Sequence, residues 1–407
     1  MKNKKKLIII ILIIILIILI TFLIFKYHQK KLKLQELEKI QKAKIVIKLK
    51  DNLDIPVFAK TKVSDFIDEI NGNIIDDYKL DTTKLGLQEI KFEYINEENI
   101  KIPYTFNINI IDNVPPVIWL NNTYTVNVNY RGNLTDDIMC GDNYDDKPDC
   151  QIIGEYNTSE VGQYNLIFEA TDSSQNKTIK NFVLNVIKPG PTNNNQTKRT
   201  NFTDVINEYK KANTKIGIDV SGWQGEIDYE KVKAAGVEFV FIKVGGTKGI
   251  NGDYYVDSKF IRNIEGFNSV GIPVGIYFYS YASNKTAAIN DAKWVIEQIK
   301  DYNVTLPVVY DWENWSFYNE FNNSFYNLSN NAASFLNEIT KNGYQAAIYS
   351  SKSYLENIWF DIGYPTWLAH YTSKTNYQGS YSYWQMCSNG KIDGIEGNVD
   401  IDIMYLD

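Results

Sequence analysis

From residue 216 to residue 405, short apolar segments rich in β-branched residues alternate with segments of helical period. The helical segments 258–270 and 329–342 are each followed by a glycine, as helix ends often are. This alternation indicates an α/β fold with a parallel sheet, and about eight strands in a domain of this size predict a TIM-like (β/α) barrel. The last three connections are too short for full helices, so the predicted barrel is incomplete there. The predicted strands are 216–220, 239–244, 274–279, 306–312, 345–349, 366–370, 383–386 and 399–405.

Two carboxylates, Asp311 and Glu313, flank Trp312 at the end of the fourth predicted strand. Because alternate residues of a strand point to the same face, these carboxylates would lie roughly 6–7 Å apart. Hydrolysis of a glycosidic bond needs such a pair, in which one group donates a proton while the other stays ionised. A single Asp-x-Glu triplet is a weak signal, since most such triplets lie in solvated loops.

The rest of the barrel strengthens this signal, because barrel active sites lie at the carboxyl ends of the strands. That rule brings Asp311 and Glu313 together with Asp219 on the first strand and Asp400 on the last. A structural role is the alternative for each acid alone: Asp219 could cap a helix and Asp400 could end a strand. Four acids at strand ends, among aromatic rings that can stack on sugars, predict a carbohydrate-binding catalytic cleft. The other residues predicted at this mouth are Tyr277, Tyr279, Trp312, Trp367, His370, Tyr371, Trp384, Gln385 and Asp402.

The N-terminal segment Leu7–Phe25 is apolar except for Thr21, and nineteen residues of helix at about 1.5 Å each span a membrane's hydrocarbon core. No small-residue cleavage site follows it, so an uncleaved signal anchor over 7–25 is predicted. Lysines flank the segment on both sides, and the positive-inside rule barely discriminates. The tail 1–6 is placed in the cytoplasm because the remaining domains suit the outside of the cell. Residues 26–44 are predicted to form a stalk.

Two similar segments follow the stalk. Residues 81–111 match residues 157–187 at a constant offset of 76, which indicates two copies of one module. Short alternating strands separated by Gly, Asn and Asp turns predict a small β-sandwich for each copy, over 45–112 and 113–187. A linker rich in Pro, Gly and Asn is predicted over 188–214, before the barrel domain over 215–407.

The cysteines, one acidic loop and the net charge bear on three further questions, namely disulfide bonds, metal sites and nucleic-acid partners. Cys140 and Cys150 bracket a polar turn, and outside the cell they are predicted to form a disulfide, with two free thiols as the alternative. Cys387 is predicted to be a small core residue. The acidic loop 142–149 could hold calcium, but it fits no known calcium-loop spacing, so a solvated turn and no metal site is predicted. The net charge of −7 argues against a nucleic-acid partner.

Five ordered motifs in residues 215–407 resemble those of family-25 glycoside hydrolases, the muramidases of the Chalaropsis type. They are G-I-D-V-S-G-W-Q-G-E-I-D at 217–228, P-V-G-I-Y-F-Y-S-Y-A at 273–282, P-V-V-Y-D-W-E at 307–313, W-Q at 384–385 and G-N-V-D-I-D at 397–402. Two departures stand out: 243–249 reads K-V-G-G-T-K-G where many members have K-A-T-E-G, and Asp402 replaces the family's terminal Asn. Residues 113–187 resemble the immunoglobulin-like repeats of bacterial surface proteins.

The family resemblance implies an eight-stranded flattened barrel with five helices and cleavage of the β-1,4 bond between N-acetylmuramic acid and N-acetylglucosamine. It implies Glu313 as general acid, with its pKa raised by neighbouring acids, and Asp311 as the partner that orients the substrate's acetamido group or stabilises developing positive charge. Asp219 and Asp400 would complete the acidic ring. Retention assisted by the acetamido oxygen, and no cofactor, are also implied.

We therefore expect a membrane-anchored, outward-facing muramidase that acts on peptidoglycan glycan strands in the cell wall, for local remodelling or machine assembly. One alternative is a catalytically silent peptidoglycan-binding surface protein, against which the presence of all four acids argues. The other is an endoglycosidase for a different N-acetylhexosamine polymer such as chitin.

Overall fold

The computed structural model describes residues 2–190, 198–250, 252–313 and 322–406, with side chains described from residue 16 onward. The chain divides into two compact units, Met1–Asn113 and Val114–Asp407. The first unit contains a long helix and one β-module. The second unit contains another β-module and a large α/β domain.

A single helix, Lys2–Lys42, covers the predicted anchor and most of the predicted stalk. Its apolar side chains from Leu16 to Phe25 are exposed. Part of the predicted anchor, 7–25, lies outside the residues whose side chains are described. Among the residues that are described, no helix is long and apolar enough to cross a membrane. The anchor therefore stays a prediction.

The β-module of the first unit consists of a four-stranded and a two-stranded sheet. Its strands are Ile47–Leu49, Asp54–Pro56, Ile67–Ile70, Gly72–Ile74, Gly86–Asn96 and Lys101–Ile111, with a short 3-10 helix at Val63–Phe66. Along most of the hairpin formed by the last two strands, every second side chain is buried, because consecutive strand residues point to opposite faces. Phe92, Tyr94 and Ile108 are among these buried residues.

The second β-module repeats this arrangement. Its strands are Val117–Ile118, Thr123–Asn127, Cys140–Gly141, Asp149–Ile153, Gly162–Thr171 and Lys177–Ile187, with a helical turn at Leu134–Asp137. The hairpin formed by the last two strands begins 76 residues after that of the first module, the offset seen in the sequence. In both modules the final strand also pairs in parallel with an early strand. A disulfide joins Cys140 and Cys150.

The α/β domain is built on a closed ring of eight strands, numbered here as ring strands 1 to 8. They are Thr214–Val220, Val240–Thr247, Val274–Tyr279, Val308–Asp311, Ala346–Ser351, Thr366–Ala369, Tyr383–Ile392 and Ile395–Tyr405. Ring strands 1 to 7 pair in parallel in chain order. Ring strand 8 is antiparallel to both of its neighbours, ring strands 7 and 1, and closes the ring.

This antiparallel strand distinguishes the ring from a regular (β/α) barrel. Only Asp393 and Gly394 connect ring strands 7 and 8, and a two-residue turn can join only antiparallel strands. Each predicted strand overlaps one ring strand, but the last two extend further than predicted because they form this hairpin. The helices described between ring strands are Tyr229–Ala234, Phe260–Ser269, Lys285–Ile299, Phe325–Lys341 and Lys352–Asn357.

Apolar side chains pack on both faces of the ring of strands, in its interior and between the ring and the helices. Phe241, Trp367 and Tyr383 belong to a cluster inside the ring. Ring residues such as Ile242 and Ile276 belong to a second, larger cluster that includes the apolar faces of the helices. Strand alternation produces this division, and it decides which side chains can reach the mouth of the ring.

The predicted linker, 188–214, ends earlier than expected. The Arg199 guanidinium donates to the backbone oxygens of Gly390 and Glu396 at 2.8 and 3.1 Å. Thr200–Asn201 then pairs with ring strand 7, and the helix Phe202–Tyr209 buries its apolar side against the α/β domain. From residue 198 the chain therefore belongs to this domain, whereas residues 191–197 lie outside the described residues.

Candidate active site

Four acids surround one cavity of about 280 Å³ at the carboxyl ends of the ring strands, and we call it the acid cavity. Asp219 and Asp400 are direct partners across ring strands 1 and 8, which places their Cβ atoms about 4.5–5.5 Å apart. Asp311 ends ring strand 4, and Glu313 follows it. Ring strand 4 lies opposite ring strand 8 in the closed ring, so the two pairs of acids face each other across the mouth.

A buried amide, Gln385, fixes the position of one of these acids. Its Nε2 donates to Asp219 Oδ2 at 2.7 Å. Its Oε1 accepts from the hydroxyls of Tyr349 and Tyr371 at 2.8 and 3.1 Å. Because two hydroxyls occupy the carbonyl side of the amide, its NH₂ group must face the carboxylate. The interaction holds Asp219 and orients both tyrosines around the acid cavity.

Asp311 and Glu313 lie in different environments. Asp311 is only 4% exposed, whereas Glu313 is exposed along the cavity. Burial raises the pKa of Asp311 well above its ordinary value, and the Glu313 charge raises it further, while Lys243 lowers it. Although Glu313 is accessible from the cavity, the cavity walls exclude much of the water around its carboxyl, and this desolvation raises its pKa against the opposing effects of a hydrogen bond with Tyr349 and the Lys243 charge. The raised pKa expected for Glu313 is present, but its main cause is desolvation rather than like charges.

The acids on ring strands 1 and 8 form a second group of carboxyls with raised pKa values. Burial, followed by the charge of Glu313, raises the pKa of Asp400 to about 6. Burial raises the pKa of Asp219 well above its ordinary value, and the charges of Asp400 and Asp402 add to the effect. Carboxyls in this group therefore keep protons at pH values where exposed carboxyls are ionised.

The sequence of this region also matches a known family. Residues 218–395 match the model described as glycosyl hydrolases family 25. The matched segment contains Asp219, Asp311 and Glu313, and Asp400 follows it by a few residues. Over these residues the chain is similar to the glycosyl hydrolases of family 25.

Curated relatives and solved structures resemble the same part of the chain. The autolytic lysozyme of Clostridium acetobutylicum is 29% identical over 189 residues, covering 46% of this chain and 54% of that protein. Lysozyme M1 of Streptomyces globisporus is 31% identical over 206 residues, covering 45% of this chain and 65% of that protein. The modular autolysin LytC from Streptococcus pneumoniae, solved with a synthetic peptidoglycan ligand, is 26% identical, with 59% of this chain and 56% of that chain covered and a TM-score of 0.43. The alignments thus cover less than two thirds of each of these proteins.

Most of the aromatic and polar residues predicted at the mouth of the barrel line the acid cavity. They are Tyr277, Tyr279, Trp367, Tyr371 and Gln385. His370 instead lines a neighbouring cavity, and its Nδ1 lies 2.9 Å from the Thr375 hydroxyl.

Three predicted substrate-binding residues lie elsewhere in the domain. Trp312 and Trp384 are buried in the outer apolar cluster, because each follows an inward-facing residue on its strand and so points to the opposite side. Asp402 does face inward, but it is fully buried below the cavity, where it accepts a hydrogen bond from Trp367 Nε1 at 2.8 Å. Burial and the Asp400 charge raise its pKa.

The prediction also missed residues that line the acid cavity, namely Ser221, Trp223, Lys243 and Tyr349. Lys243 brings a cation to the acids, and its Nζ lies 4.8 Å from the centroid of the Tyr279 ring. A lysine within an otherwise apolar strand was the available signal. Tyr349 lies on ring strand 5 and pairs with Asp311 of ring strand 4. Trp223 is 92% exposed at the rim of the cavity.

A second, larger cavity of about 620 Å³ continues from the first, and we call it the adjoining cavity. Glu313, Tyr349 and Tyr371 line both cavities. The two therefore form one groove, and Glu313 stands where they meet. A substrate that lies along this groove would pass the exposed carboxyl of Glu313.

Proposed function

We propose that this protein is a muramidase that hydrolyses the β-1,4 bond between N-acetylmuramic acid and N-acetylglucosamine in peptidoglycan. The observation that carries the proposal is the acid cavity, in which an exposed Glu313 and a buried Asp311 face Asp219 and Asp400. The similarity of this region to family 25, and the lysozymes among the relatives that it resembles, support the same chemistry.

In the proposed reaction, Glu313 donates a proton to the glycosidic oxygen, because it is the member of the pair that reaches the groove. Its raised pKa keeps it protonated to a higher pH than an exposed glutamate, so activity should fall as pH rises through that pKa. Asp311 is the last residue of ring strand 4, two residues before Glu313, and approaches the sugar from the same side as Glu313. It is therefore suited to orienting the acetamido group or stabilising positive charge rather than to attacking the anomeric carbon from the opposite face.

The N-terminal part of the chain suggests where the enzyme acts. The helix Lys2–Lys42 would anchor the protein through residues 7–25, and the two β-modules, classed as immunoglobulin-like, would carry the catalytic domain into the cell wall. An anchored hydrolase acts locally, which suits wall remodelling or the assembly of an envelope machine.

Purified peptidoglycan and the full-length chain test the catalytic proposal. We expect wild-type protein to release reducing ends that borohydride reduction identifies as N-acetylmuramic acid, and Glu313→Gln to lose roughly 10²–10⁴-fold in kcat. Glu265→Gln, an exposed change on the helix Phe260–Ser269, is the matched control and should behave as wild type.

The same experiment separates the alternatives. Release of N-acetylglucosamine reducing ends, or faster cleavage of chitin, would favour the endoglycosidase. Binding of peptidoglycan without any cleavage, equally strong in wild type and Glu313→Gln, would favour the silent binding protein.

A further inference from the structure

One wall of the adjoining cavity comes from outside the catalytic domain. Most of its lining belongs to the ends of ring strands 5 and 6 and to the helix Lys352–Asn357, but Trp119 belongs to the second β-module. Trp119 is half-buried, and its indole packs edge-on against the Tyr354 ring with centroids 5.4 Å apart. An aromatic side chain from the β-module thus lies in the same groove as Glu313.

The second β-module is packed against the catalytic domain at this point. The backbone N–H of Trp119 donates to Met139 at 2.8 Å, and Met139 is buried in the outer apolar cluster of the catalytic domain. Val117 packs against the same cluster. These contacts fix the position of the backbone at Trp119.

The loop closed by the Cys140–Cys150 disulfide provides a second attachment, at the start of the helix Phe325–Lys341. Asp146 Oδ1 accepts from the backbone N–H of Ser324 at 2.7 Å and from Asn327 Nδ2 at 2.8 Å. The carbonyl of Asp142 accepts from the backbone N–H of Phe325 at 2.8 Å. A carboxylate at a helix N-terminus also interacts favourably with the helix dipole. The module therefore has a defined position relative to Glu313.

From this geometry we propose that Trp119 is a glycan-binding residue, which stacks on an N-acetylhexosamine of the strand on the far side of Glu313 from the acid cavity. The volume of the adjoining cavity lies within the ~300–1,000 Å³ typical of ligand sites. Its polar rim includes Ser351, Ser353 and His370, which suit a hydroxylated ligand. The second β-module is then part of the substrate site, and the enzyme favours long glycan strands. This inference rests on the proposed function.

The test compares long, uncrosslinked glycan strands with a tetrasaccharide of the same alternating sugars, both cleaved by the full-length chain. For Trp119→Ala we expect KM on long strands to rise roughly five- to tenfold, which corresponds to the loss of one aromatic stacking contact, with kcat little changed and a smaller effect on the tetrasaccharide. Trp119→Phe should recover most of the affinity. Tyr156→Ala removes an exposed aromatic of the same module outside the groove and should match wild type.

A second variant keeps the outcome decisive. Asp146→Ala keeps Trp119 but removes the carboxylate that attaches the loop, so the indole is held less firmly. KM on long strands should therefore rise here too, even if Trp119→Ala does not fold. An unchanged KM on long strands for both variants would overturn the role of Trp119 while wild-type cleavage upholds the proposed function. A wild-type chain that cleaves neither substrate would overturn the proposed function, and the glycan site with it.

Discussion

The two cavities of the groove are built in different ways. All eight ring strands contribute a residue to the acid cavity, and hydrogen bonds such as that from Gln385 to Asp219 fix the positions of these side chains. The adjoining cavity is lined by strand ends, a short helix and Trp119 of another module. The comparison suggests that bond cleavage depends on the ring alone, whereas recognition of the extended strand depends on how two modules are joined.

The two β-modules show how this joint arises. The turns Val63–Phe66 and Leu134–Asp137 are 71 residues apart, whereas the hairpins are 76 apart, so the second module has five more residues in between. The extra length lies around the Cys140–Cys150 loop, which contacts the catalytic domain. In the first module the corresponding region is held internally, by hydrogen bonds from Ser64 to Asp77 at 2.8 Å. The second copy thus differs in length from the first in the interval that contains its contact with the catalytic domain.

After Glu313→Gln, the largest effect should come from Asp311→Asn, which changes the acid cavity alone. Loss of the carboxylate beside the reacting sugar should lower kcat roughly 10²–10³-fold on tetrasaccharide and long strands alike. Reducing-end release measures both, and Asp301→Asn, an exposed acid, is the matched control. A loss of kcat on long strands alone would contradict the conclusion that bond cleavage depends on the acid cavity and recognition of the extended strand on the adjoining cavity.

A smaller effect, confined to the adjoining cavity, is expected from replacing both Cys140 and Cys150 by Ser. Opening a loop with a sequence separation of 10 should lower the free energy of unfolding by about 2–3 kcal/mol. The loosened loop should also raise KM on long strands while kcat on the tetrasaccharide stays near wild type. Urea unfolding and the two-substrate assay measure these effects, and chemical reduction of the wild type should reproduce them. An unaltered KM in the unbridged protein would show that the loop does not hold the wall of the groove.

The sequence was sufficient to predict much of the acid cavity because the direction of each side chain follows from its position along its own strand. Strand periodicity and the rule that active sites lie at the carboxyl ends of strands brought Asp219, Asp311 and Glu313 together. Asp400 lies near the start of its predicted strand, and it reaches the same mouth because ring strand 8 is antiparallel to its neighbours. Strand periodicity, applied strictly, would also have placed Trp312 on the opposite face from Asp311 and Glu313, and its burial shows that it belongs to the core.

The adjoining cavity could not be predicted in this way. Trp119 is 194 residues before Glu313 in the chain, and no periodic pattern connects a β-module loop to a particular helix end. Their proximity depends on packing of Met139 and on the hydrogen bonds of Asp146, which are tertiary contacts. Lys243 was missed for a simpler reason, since a single cation within an apolar strand was treated as part of a motif rather than as a partner for the acids.

The smallest effect should be one of stability, and it arises from the buried carboxyl beneath the acid cavity. The folded-state pKa of Asp402 is raised by burial, so the folded protein binds this proton more tightly than the unfolded chain does. Its contribution to stability is therefore fully present below the unfolded-state pKa and is lost as pH rises towards the folded-state value. Asp402→Asn keeps an oxygen for Trp367 Nε1 and removes the ionisation.

We therefore expect Asp402→Asn to stabilise the protein by about 1 kcal/mol near neutral pH, a rise in Tm of ~2–4 °C, and to have little effect below about pH 4. Calorimetry across this pH range measures the difference, with Asp301→Asn as the exposed control. A stabilisation that is the same at every pH would show that the carboxyl is not titrating and that packing explains the gain. If the predicted pH dependence is found, the buried Asp402 carboxyl beneath the acid cavity lowers stability near neutral pH, a cost that the adjoining cavity, with no buried acid in its described lining, does not share.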